Sequence, residues 1–139
     1  METLKFRIWV MAFTMMVTAA QADDRAILAD GEMAVLSGRT GCHVVMMTEA
    51  RDQVVELDVS GLCQLHRDST GAPRSVEGPV GRIFLVEQSV PATDGSGDCD
   101  TQVQAVAVGE DGLVVAPNTA RVASCPPFQW DEVMFLGVF

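Results

Sequence analysis

Cys99–Cys125 reads CDTQVQAVAVGEDGLVVAPNTARVASC, and the order of its parts sets the expected fold. Gln102–Val108 (QVQAVAV) alternates polar and apolar residues, the period of a half-buried strand. Gly109-Glu110-Asp111-Gly112 suits a hairpin turn, because Asp-Gly supplies a residue that tolerates positive φ. Leu113–Ala116 then pairs back, and Ala120–Ser124 extends the pairing to Cys125. Pro126-Pro127 ends it, since proline gives no N–H to a ladder.

The same order occurs once before. Cys42–Thr48 (CHVVMMT) is an apolar run with adjacent valines and reads as a strand. Glu49–Asp52 is a polar break, and Gln53–Val59 (QVVELDV) alternates, with Val55, Leu57 and Val59 on one face. Ser60-Gly61 closes it before Cys63. Each half thus runs cysteine, strand, turn, strand, cysteine, proline-containing linker, apolar strand. The closing strands are expected at Arg82–Gln88 (RIFLVEQ) and Glu132–Phe139 (EVMFLGVF). The parallel lies in layout alone and is consistent with a duplicated unit.

Outside these hairpins, Leu65–Gly81 and Pro91–Asp100 are rich in Gly, Pro and polar residues and are expected as loops. Asp23–Leu36 is open between a helical turn and an edge strand, and Gly31 argues against one continuous helix. No long segment has helical periodicity. The fold class is therefore mainly β, a small antiparallel sandwich or barrel. The layout pairs Cys42 with Cys63 and Cys99 with Cys125, each bridge stapling the open end of a hairpin. Such loops stabilise by roughly 3 to 4 kcal/mol each in the chain-entropy model.

Met1–Ala22 (METLKFRIWVMAFTMMVTAAQA) has basic Lys5 and Arg7, the uncharged stretch Ile8–Ala20, and Ala20-Gln21-Ala22 in small-x-small order. This is the pattern of a cleaved secretory signal, with residues 23–139 as a single disulfide-bonded domain. The expected location is the periplasm or the extracellular space, with no stable membrane insertion after cleavage. The remaining 117 residues hold seven arginines, no lysine and eighteen carboxylates, a net charge of −11. That field repels phosphate backbones and anionic lipid, which removes nucleic acid as an expected partner. It favours a basic envelope or secreted protein.

Trp130 and Phe128 are the candidate aromatic contacts. The loop carrying Asp94, Asp98 and Asp100 is the candidate acidic contact. That loop lacks the closing glutamate of a twelve-residue calcium loop and reads as a solvated turn. His43 follows Cys42 and His66 lies three residues after Cys63, so the first bridge brings them near each other as a copper or zinc pair. Disulfide sulfurs give such a site no thiolate, and two histidines leave it incomplete. Gly-x-Ser-x-Gly, His-Glu-x-x-His, Cys-x-x-Cys and phosphate-loop patterns are absent. The expectation is a protein-binding module without cofactor, an accessory factor or inhibitor for a basic protein, rather than an enzyme. The alternative is a metal-binding accessory protein using His43 and His66.

Overall fold

The structure is a computed structural model that describes residues 24–38, 41–137 and 139. The expected signal segment lies outside the described residues. Two antiparallel sheets and two disulfides make up the fold. The first sheet is a meander of β1 (Asp24–Ile27), β2 (Gly31–Gly38), β3 (Gly41–Thr48) and β4 (Asp52–Leu57), in that spatial order. The stretch before Cys42 that was open in the sequence is thus a hairpin, turning at Ala29-Asp30.

The second sheet is built on two long central strands, β7 (Gly81–Pro91) and β8 (Cys99–Gly109). Short strands share their outer edges. β5 (Gln64–Leu65) and β6 (Ser75–Gly78) both pair with β7. β9 (Gly112–Val115) and β10 (Ala120–Val122) both pair with β8. The segment expected as one long loop after Leu65 therefore contributes β6, a strand too short to show a period.

Ile83–Glu87 is buried at every position, as a strand covered on both faces must be. Phe84 and Val86 face the first sheet and join Met33, Val35, Val44 and Met46 in one core. Ile83 and Leu85 point the other way and join Trp130 and Phe135 in a second core. The C-terminal segment therefore forms a third layer. Its expected strand Glu132–Phe139 is instead a helical turn, α1 (Glu132–Gly137). Asp131 caps it, its Oδ1 accepting from Met134 N at 3.1 Å. Trp130, Met134, Phe135 and Phe139 all pack on the second core, a helical rather than alternate spacing. The edges of β7 and β8 are already occupied, so this apolar tail lies across the sheet face.

The two bridges are Cys42–Cys63 and Cys99–Cys125. Their roles differ. Cys42 lies on β3, while Cys63 leads into β5, so the first bridge ties one sheet to the other within the shared core. Cys99 begins β8 and Cys125 follows β10, so the second staples neighbouring strands within one sheet. This asymmetry, with α1 in place of a closing strand, removes the basis for reading two equivalent halves.

Candidate functional site

The fold separates the two histidines. His43 alternates with Cys42 and Val44, which enter the core, and so stands on the outer face of the first sheet. His66 follows the core residue Leu65 and lies on the far face of the second sheet, edge-on to Trp130 and Phe135. Both sheets intervene. The paired metal site is therefore corrected: being close to bridged cysteines in sequence does not bring side chains of opposite parity together. Among the described residues no group of three or more His, Cys, Asp or Glu side chains is placed to hold a metal ion.

His66 belongs to a buried polar cluster. Its Nδ1 lies 3.1 Å from Glu87 Oε2, and Gln64 Nε2 donates to Glu87 Oε1 at 3.2 Å. Beside them the Asp24 carboxylate accepts from Leu65 N and from Arg67. Burial pushes the Asp24 carboxyl above the ordinary aspartate value, while the Leu65 N–H and Arg67 pull it down and the charge of Glu87 adds to the rise. Arg74 lies over the Phe135 ring, 5.0 Å from its centre, and donates to Trp130 O. Gln129 Nε2 donates to Arg67 O at 3.0 Å. These contacts strap the C-terminal layer to the β5–β6 region.

Trp130 is 4% exposed, a core residue rather than an accessible contact. Phe128 meets its ring edge-on at 5.5 Å and is itself exposed. Asp94 and Asp98 lie on an exposed loop fastened by Cys99–Cys125, and Asp100, also exposed, is the second residue of β8. Asp94 Oδ1 accepts from Ser96 N, and bonds to Ser96 hold its carboxyl below the ordinary value. Asp100 pairs with Arg121 at 3.1 Å. A shallow hollow of about 360 Å³ runs past Asp94, Asp98, Asp100 and Arg121. Asp94 thus shapes the loop, while Asp100 ties β8 to β10 through Arg121.

A different surface emerges on the outer face of the first sheet. Its register sets Arg25, Ala34, Val45 and Val54 side by side across the four strands. Ile27, Glu32, Met47 and Asp52 form the next row, and Leu36, His43 and Glu56 another. Ile27 is 73% exposed, Val54 62% and Leu36 51%. These three stand in different rows, with Ala34, Val45 and Met47 of β2 and β3 between them, so apolar side chains run across the whole face, interspersed with charged ones. The signal for this face was present in Cys42–Thr48, whose apolar residues occur at both parities: Val44 and Met46 inward, Val45 and Met47 outward.

No protein-family model matches the chain, and no curated protein or solved structure is significantly similar to it.

Proposed function

We propose that this protein is an exported protein-binding domain that docks through the outer face of β1–β4. The observation that carries the reading is the apolar set Ile27, Leu36 and Val54 on that outer face, each more than half exposed, while both faces of the second sheet are covered. An antiparallel sheet with one face in water ordinarily places polar residues there. β3 instead has the two-sided apolar character of a covered strand. Two disulfides fit an oxidising compartment outside the cytosol. No helix among the described residues is long and apolar enough to cross a membrane. The pattern of Met1–Ala22 supports export.

Site-specific photo-crosslinking in the native cell tests the reading. A benzoyl-phenylalanine in place of Val54 or Leu36 is expected to yield a discrete adduct with another protein. One in place of Val114, exposed on β9, is expected to yield none. Adducts from Phe128 or the Asp94–Asp100 loop, with none from Val54 or Leu36, would move the binding surface elsewhere.

A further inference from the structure

Resting on the docking face proposed above, we infer that its occupant is a basic polypeptide segment with an apolar side, one of whose Lys or Arg side chains lies along Ile27 and Met47. Charge around the face carries this. Glu32, Asp52 and Glu56 share the outer rows, and Asp30 and Glu49 stand in the turns at the end of the sheet. Arg25, the one arginine in those rows, already pairs with Glu32.

Asp30, Glu32 and Glu49 border an open groove of about 860 Å³ whose apolar sides are Ile27 and Met47. Asp30 and Glu49 make no ion pair among the described residues. A long cationic side chain suits such a groove, because its methylenes cover apolar surface while the charged head stays at the wet, acidic rim. A second copy of this chain fits poorly: it would press one acidic rim on another, in a chain of net charge −10. An anionic lipid surface is repelled for the same reason. The face thus combines apolar side chains with a border in which the carboxylates Asp30, Glu32, Glu49, Asp52 and Glu56 outnumber Arg25 and Arg51, and such a charge excess sets partner choice and association rate.

The lysine content gives a direct test. The sole lysine of the sequence is Lys5, within the segment expected to be removed. In the exported protein, carbodiimide coupling of a carboxylate to a lysine amine therefore reports a lysine of the other molecule. The probes are three short peptides of equal length, alternating Val with Lys, Ser with Lys, and Val with Glu. The Val/Lys peptide is expected to bind best and to couple at Asp30, Glu32 or Glu49. Its affinity is expected to fall about fivefold in the Asp30→Asn/Glu49→Gln variant, and to weaken as salt is raised. Equal binding by the Val/Glu or the Ser/Lys peptide, coupling confined to Asp94–Asp100, or self-association through the face would overturn the inference. If Val54 still yields a protein adduct while the charge variants change nothing, the partner chemistry falls and the docking face stands. If Val54 yields no adduct, both fall.

Discussion

The side-chain amide of Gln53 lies against the backbone of Leu113 as a neighbouring strand would. Its Oε1 accepts from Leu113 N at 2.8 Å, and its Nε2 donates to Leu113 O at 3.3 Å. Gln104 makes a similar bridge, accepting from Asp58 N at 2.7 Å and donating to Ala116 O at 2.8 Å. On the opposite side Ser37 Oγ accepts from Cys63 N and donates to Cys63 O. The two sheets are thus closed towards a flattened barrel by side chains that occupy backbone groups at their edges.

Removing a bridging amide leaves backbone groups without partners. Gln104→Leu is expected to cost about 1 to 3 kcal/mol in urea unfolding, because its site is buried. Gln53→Ala is expected to cost less, its groups being nearer water. Gly112→Ala should also destabilise: Gly112 has φ of 111°, and an added methyl would meet Gln53 Oε1. Unchanged stability in all three would mean the sheets close without these contacts.

The C-terminal layer offers a larger effect. Phe135 is fully buried against Ile83, Leu85 and Ala105. Phe135→Ala is expected to lower stability by about 3 to 5 kcal/mol. Val133→Ala, two residues away but exposed on α1, is expected to change it by less than about 0.5 kcal/mol. Equal costs would contradict the helical placement and restore the alternating strand read from the sequence.

Acid titration separates two aspartates. A carboxyl whose folded pKa is raised stabilises the fold below its unfolded value, and this is lost as pH rises through the folded one. Asp24 is such a group, raised from 3.8 by burial. Asp24→Asn is therefore expected to gain on the wild type as pH climbs above 3.8. Asp68 is the opposite case, lowered by the Thr70 hydroxyl and by backbone N–H groups. Its contribution is present above 3.8 and lost as pH falls through its folded value. Asp68→Asn should lose ground to the wild type over the same rise in pH. Carboxyl NMR titration checks both directions.

The two bridges should respond differently to a dithiol reductant. Cys42 is fully buried in the inter-sheet core, whereas Cys125 lies exposed. Cys99–Cys125 is expected to open first, with thiol trapping mapped by mass spectrometry. The exported protein, before reduction, should begin at Asp23 and show no titratable thiol. Four free thiols on a chain retaining Met1 would contradict export.

Much of the architecture is legible in particular stretches. Gln102–Val108 with Asp111-Gly112 encodes the β8–β9 hairpin locally, through alternation and one residue of positive φ. The bridge partners follow from strand layout, although the inter-sheet role of Cys42–Cys63 depends on where the chain crosses after Val59. Glu132–Phe139 misleads because six helical residues span too few turns to impose a period, and the Asp131 cap was the available cue. The buried environment of Trp130 and His66 is tertiary in origin, set by the tail folding over β7. The outer face of β1–β4 was half-visible in Cys42–Thr48. Its full extent needed the registry that sets Ile27 beside Glu32 and Val45 beside Val54.

The most direct measurement is the affinity of a Leu36→Ser/Val54→Ser variant for the protein captured at Val54 in the native cell. Both side chains are exposed on the free domain, so their loss should leave the melting temperature nearly unchanged. Weakening of about tenfold or more, with the fold intact, is the expected result. Full affinity in that variant would show that the apolar face of β1–β4 is not where this protein meets its partner.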